Sequence, residues 1–138
     1  YDAKNASVII DINQATATQW QELRGIGPAY SERIVNFRDK LGGFVSVAQV
    51  AETYGLPDST FQAIYLQLRP SAIFRSLSIN HLGVGELAAH PYLSQNNARA
   101  IVRYREEHGS YKNAEDLGKL YSLTEKVKKN IVPYLSFD

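Results

Sequence analysis

Leu23-Arg24-Gly25-Ile26-Gly27-Pro28-Ala29 sets two glycines around one apolar residue, and a helical period follows at once. Ile26, Tyr30, Ile34, Phe37 and Leu41 recur at spacings of four, four, three and four, while Glu32, Arg33, Asn36, Asp39 and Lys40 face the other way. Upstream, Thr16 and Gln19 form a capping box for a short helix to about Leu23, which Gly25 stops. The stretch is therefore a turn between two helices. Glycines reach positive φ and carry no Cβ, so backbone N–H groups can converge on one anion, and the following helix adds its positive end. This predicts a phosphate cradle made by the amides of Ile26 and Gly27, with Ile26 plugging the turn into the core. Arg24 on the turn and Arg33 on the helix are placed to flank a phosphodiester.

Outward from this turn, residues 12 to 68 align without a gap on residues 79 to 135. Ile12-Asn13 pairs with Ile79-Asn80, Ile34-Val35 with Ile101-Val102, Arg38 with Arg105, Gly42 with Gly109, Tyr54 with Tyr121, Leu56 with Leu123, Ile64 with Ile131 and Leu68 with Leu135. Within the first copy, Gly42-Gly43 ends the long helix, and Ser46 with Gln49 caps another short one reaching about Thr53. Gly55 breaks that run, and Pro57-Asp58 opens a helix ending near Leu68. The second copy repeats the plan, with Gly83 as a poorer cap for Glu86, a helix over 95–108, Asn113 with Asp116 as a cap, and a helix over 124–132. Strand-type alternation is nearly absent. The expected class is all-α, two tandem modules of about four short helices each. The boundaries read as an extended leader over 1–10, a first module over 11–68, a linker over 69–77 whose apolar residues pack, and a second module over 78–136.

Composition narrows the chemistry. Fifteen Lys and Arg against fourteen Asp and Glu leave a net charge of +1, so nucleic-acid binding must be local. No cysteine is present, which excludes a disulfide framework, a zinc knuckle and a thiol nucleophile. His81, His90 and His108 are scattered and are expected at the surface or at helix ends, with no metal site. No Ser-His-Asp arrangement or concentrated acid pair stands out, so no enzyme, cofactor or small-molecule substrate is expected. The turn fails as a dinucleotide fingerprint because Tyr30 replaces the third glycine and a helix, not a strand, precedes it. A chain opening Tyr1-Asp2-Ala3-Lys4 without Met is read as a fragment or mature segment lacking any targeting sequence, and the sequon Asn5-Ala6-Ser7 is given no weight.

Gly25-Ile26-Gly27, with Ile34-Val35 on the helix after it, resembles the helix-hairpin-helix family, a SAM-like helical fold whose Gly-apolar-Gly hairpin contacts the DNA backbone without reading sequence. The resemblance covers residues 11–68 and 78–136. More narrowly, Asp11-Ile12-Asn13-Gln14-Ala15, the hairpin, Ile34-Val35-Asn36-Phe37-Arg38 and Gly42-Gly43-Phe44 are similar to ComEA-type competence proteins. That likeness implies an extracytoplasmic or membrane-tethered receptor for double-stranded DNA. His90-Pro91-Tyr92-Leu93-Ser94 with Ala98-Arg99-Ala100-Ile101-Val102-Arg103-Tyr104-Arg105 resembles a variant repeat of multi-repeat bacterial relatives.

Only one of four hairpins keeps the family pattern. Tyr54-Gly55-Leu56-Pro57 retains one glycine and has lost an N–H to proline, while Pro91-Tyr92-Leu93-Ser94 and Tyr121-Ser122-Leu123-Thr124 have none. Tyr30 stands where the competence proteins often place a lysine. Arg24, Gly25, Ile26, Gly27 and Arg33 are thus the expected phosphate-binding residues, with Gly55, Arg99 and Arg103 as secondary contacts and a basic cluster at Lys126, Lys128 and Lys129. Among the aromatics, Tyr54, Tyr121, Phe44 and Tyr111 are expected in the core, Trp20 fills the pocket of Leu87, and Tyr92 is the exposed exception suited to a protein contact. The rival function is a protein-interaction module that kept the fold and lost DNA. Salt separates the two, since phosphate binding weakens steeply as salt rises. A third reading makes the chain an accessory domain of a larger enzyme.

Overall fold

A computed structural model describes residues 8–138; the sequon at Asn5-Ala6-Ser7 and most of the expected leader lie outside them. The described chain divides after Phe74 into two compact units. In the first, β1 (Ile10–Asp11) leads to α1 (Ala17–Trp20), the Gly25–Gly27 turn and α2 (Pro28–Leu41). A 3₁₀ helix over Val47–Glu52, a second turn at Gly55 and α3 (Asp58–Ile64) follow, and β2 (Leu68–Arg69) closes the unit. The second unit has the same order: β3 (Leu77–Ser78), α4 (Val84–Ala88), α5 (Gln95–His108), a 3₁₀ helix over Ala114–Lys119, α6 (Glu125–Ile131) and β4 (Leu135–Ser136).

The expectation of a purely helical class needs one amendment. In each unit the entering and leaving segments pair as parallel two-residue strands, Ile10 with Leu68 and Leu77 with Leu135. Alternation cannot announce a strand of two residues, because the period itself spans two. The units are helix-rich all the same.

Residues that match between the two copies hold the same places. Ile12, Trp20, Ile34, Phe44 and Ile64 have no measurable exposure, and Ile79, Leu87, Ile101, Tyr111 and Ile131 fill the equivalent core. The Tyr111 hydroxyl donates to the Ile101 carbonyl at 2.8 Å, and burial pushes this phenol above its ordinary pKa. Arg38 Nη1 donates to the Ala15 carbonyl at 2.6 Å; Arg105 Nη1 repeats the contact on Leu82 at 2.8 Å and on Ile79 at 2.9 Å. Asn13 donates to the Phe44 carbonyl at 2.9 Å and accepts from the Phe44 amide at 2.6 Å; Asn80 does the same with Tyr111. These polar matches are thus internal ties that bind the lead-in loop to the long helix and to the segment that follows it.

Residues 69–74 of the expected linker lie on the first unit. Asn13 also donates to the carbonyls of Ser71 and Ala72, and the Phe74 amide donates to Gly42 at 2.9 Å. Ser71 donates to Asp11 at 2.6 Å, which holds that carboxyl below the usual carboxylate range. Gly43 sits at φ +117°, and a Cβ there would come within 2.9 Å of the Ile73 Cα. Gly43→Ala is therefore expected to cost about 3 kcal/mol, from a left-handed backbone and an overfilled contact acting together. Urea unfolding measures it; a loss below about 1 kcal/mol would mean that residues 72–74 yield easily.

Candidate nucleic-acid interface

The first turn is held from within. The Leu23 carbonyl accepts the Ile26 amide at 3.1 Å, Gly25 takes φ +82°, and Ile26 is buried at 4% exposure. Ile26 is therefore the plug, but its amide is already spent, which corrects the expectation that it faces a phosphate. Gly27 caps α2 in extended backbone with no side chain to supply a hydrogen bond. Pro28 has no N–H, and the first acceptance inside the helix is Ser31 to the Gly27 carbonyl at 3.0 Å. Among the described residues the amides of Gly25, Gly27, Ala29 and Tyr30 have no acceptor. These four donors stand at the head of a 14-residue helix. A Cβ on Gly27 would meet nothing within 4 Å, so the space in front of it is open. Arg24 is exposed on the turn.

The second unit has filled three of the four equivalent donors with its own side chains, leaving the Asn96 amide in the place of Ala29. Tyr92 occupies the place of Gly25, and its amide donates to His90 Nδ1 at 3.1 Å. Ser94 replaces Gly27; its amide donates to Asn97 Oδ1 and its hydroxyl accepts from the Asn97 amide, both at 3.0 Å. Asn97 stands where Tyr30 does. On α6, Thr124 likewise accepts from the Val127 amide at 3.2 Å. A self-capped helix end keeps fewer donors for a phosphate, here the amides of Gln95 and Asn96 on α5.

Several side chains stand elsewhere than the sequence suggests. His90 is buried at 3% exposure, with its ring 4.8 Å from that of Tyr134, whereas His81 and His108 are exposed. Tyr92 is only half-buried, 5.5 Å from His90 and 6.1 Å from Tyr134, so it is no projecting tip. Tyr54 and Tyr121, expected in the core with Phe44 and Tyr111, are 84% and 92% exposed. In each second hairpin the leucine after the tip, Leu56 or Leu123, is the buried plug, and the tyrosine before the turn takes the outward place that Arg24 has in the first.

The basic surplus of the second unit is partly spent. Lys128 is buried and lies 3.5 Å from Glu125, Lys119 lies 3.8 Å from Asp116, and Arg105 serves the Ile79 and Leu82 carbonyls. Arg99 and Arg103 are exposed on α5, Arg99 donating to Asn96 at 3.1 Å, and Lys126 and Lys129 are exposed on α6. Among the described residues no group of three or more His, Asp or Glu is gathered to hold a metal, and no helix is long and apolar enough to cross a membrane.

Comparison with known proteins agrees with this geometry. A family model described as the helix-hairpin-helix motif matches residues 5–69 and again 74–136. Endonuclease/exonuclease/phosphatase family domain-containing protein 1 of Danio rerio is 26% identical over 141 residues, covering 88% of this chain and 26% of that protein. The Mus musculus protein of the same name is also 26% identical, covering 80% of this chain and 25% of its own length. ComE operon protein 1 of Bacillus subtilis is 29% identical over 56 residues, covering 41% of this chain and 27% of that protein. The chain thus spans about a quarter of the length of these relatives. No solved structure matches it.

Proposed function

Because the chain belongs to the helix-hairpin-helix family, we propose that it binds double-stranded DNA without sequence preference, chiefly through its first hairpin. The observation that carries this reading is the set of unpartnered amides at Gly25, Gly27, Ala29 and Tyr30 on a glycine turn, three of whose four equivalents in the second unit are occupied. A phosphodiester oxygen accepts from these donors at the positive end of α2, and Arg24 adds charge from the turn. No bond is made or broken. Contacts of this kind position a protein on the duplex and leave the bases unread. The likeness to ComE operon protein 1 supports a role in DNA uptake or competence. The animal relatives, named for an endonuclease/exonuclease/phosphatase domain, favour a second reading in which the same module holds DNA beside a catalytic domain.

The test is fluorescence anisotropy of a labelled duplex of about 20 base pairs, titrated with the full chain from low to near-physiological salt. Micromolar binding that weakens as salt rises is expected, equal for unrelated sequences. No binding at low salt would overturn the reading in favour of a protein-interaction module. The double variant Arg99→Ala, Arg103→Ala is expected to lose less than about threefold, since the turn beside those residues has its Tyr92, Ser94 and Asn97 amides occupied. A loss above tenfold would move the interface to the second unit.

A further inference from the structure

The second hairpin of the first unit has the turn of a phosphate cradle with fewer donors, since Pro57 has no N–H and the Thr60 amide is spent on the Pro57 carbonyl at 3.1 Å. Gly55 takes φ +76°, close to the +82° of Gly25, and the Leu56 amide donates to Thr53 at 3.1 Å as Ile26 does to Leu23. Pro57 occupies the place of Gly27 and has no N–H. The helix behind it, α3, has seven residues and begins with Asp58, which sets a carboxylate in its first turn. Taken alone, this hairpin offers a phosphate fewer donors than the first and sets a negative charge beside them.

Arg33 changes that. It rises from α2 and lays its guanidinium across the second turn, with Nη1 in the space that a Cβ on Gly55 would need. Its Cζ lies 5.6 Å from the centre of the Tyr54 ring and 6.0 Å from that of Tyr30, one aromatic from each hairpin. Among the described residues no carboxylate or carbonyl accepts from it, and it is exposed. A cation held by two rings over a glycine turn, with its N–H groups unspent, is ordered before any ligand arrives. The second unit has lost the arrangement as a set: Asn97 replaces Tyr30, Ala100 replaces Arg33 and Ser122 replaces Gly55. Only the exposed tyrosine persists there, as Tyr121.

We infer that Arg33 serves the second hairpin, not the first, and supplies from its guanidinium donors in place of those lost at Pro57 and Thr60, so that the first unit holds two phosphodiesters, one by backbone amides and one by Arg33 over Gly55. This rests on the DNA-binding reading above. Gly55 is required because any side chain would displace the guanidinium, and Tyr30 is required as a ring where a lysine would add charge without holding Arg33 in place.

The experiment measures duplex affinity against salt for the full chain, Arg33→Ala, Tyr54→Ala and Gly27→Asp, with thermal melts confirming that each is folded. Arg33→Ala is expected to bind about five- to tenfold more weakly and to flatten the log–log salt slope by about 0.9, the share of one phosphate. Tyr54→Ala should weaken binding about threefold and keep the slope, because the charge stays while its support is lost. Wild-type affinity and slope in Arg33→Ala, with Gly27→Asp inactive, would overturn the Arg33 assignment alone. Weaker binding at an unchanged slope would overturn it too, leaving Arg33 a packing residue. Unchanged binding in Gly27→Asp would remove the hairpin reading and this inference with it.

Discussion

Gly27→Asp is expected to weaken duplex binding about 100-fold or more while leaving the helical content and the melting temperature as they were or slightly higher. The two halves of that result have separate causes. Gly27 has φ −95° in extended backbone, and a Cβ there meets nothing within 4 Å, so the new side chain enters without strain. An aspartate at this position is also a favoured helix cap, since its carboxylate can accept the open amides at the start of α2. Those amides are the ones a phosphate needs. Losing charge-assisted hydrogen bonds costs about 1.5–3 kcal/mol each, and the carboxylate adds repulsion against the anion. Stability and binding should therefore move apart, which anisotropy and thermal melting on the same sample would reveal.

Gly27→Ser separates occupancy from charge. It installs the arrangement that Ser94 has already adopted in the second unit, a hydroxyl accepting the amide three residues on. A loss of about tenfold is expected from occupancy of the donors alone. Wild-type binding in both variants would mean that the open amides of α2 hold no phosphate, however suited they look.

The glycine turn, the long amphipathic helix and the doubling of the chain are all legible in the residue spacing, because helix period and repeat offset act over many residues at once. Side-chain placement is less so. Tyr54 and Tyr121 match between copies, which points to the core, yet a repeat keeps outward places as faithfully as inward ones. His90 aligns with the buried Leu23, so the same alignment, read for position rather than residue type, puts it inside. The commitment of the Ile26 amide to Leu23 is not legible, because sequence gives the direction of a side chain on a turn more readily than the fate of a backbone N–H. Nor is the reach of Arg33 from one hairpin to the other, since it depends on how α2 lies beside the second turn.

Asn13→Ala is expected to destabilise the first unit by about 3 kcal/mol, the largest loss from removing a single polar side chain in it. Asn13 is 6% exposed and makes no contact with the proposed ligand site; its carboxamide joins three stretches of chain. Its Nδ2 reaches the carbonyls of Phe44, Ser71 and Ala72, and its Oδ1 accepts the Phe44 amide. Truncation orphans a buried N–H and a buried carbonyl at Phe44, each worth about 1–3 kcal/mol, while water can reach the part-buried Ser71 and Ala72. Asn13→Asp should be no better, because a carboxylate keeps the acceptor but sets negative charge against the carbonyls the amide once served. Asn80→Ala removes the same tie from the second unit, but there the bonds to Tyr111, Phe137 and Asp138 are only part-buried or exposed, so about 1–2 kcal/mol is expected. Chemical unfolding ranks the two, and amide exchange at Phe44 and Tyr111 locates them. DNA binding adds a second scale: as temperature rises, Asn13→Ala should lose the duplex early, because the first hairpin unfolds with its unit. Asn80→Ala should hold the duplex to the wild-type temperature, and an early loss there would mean that the second unit, despite its capped helix ends, takes part in the grip.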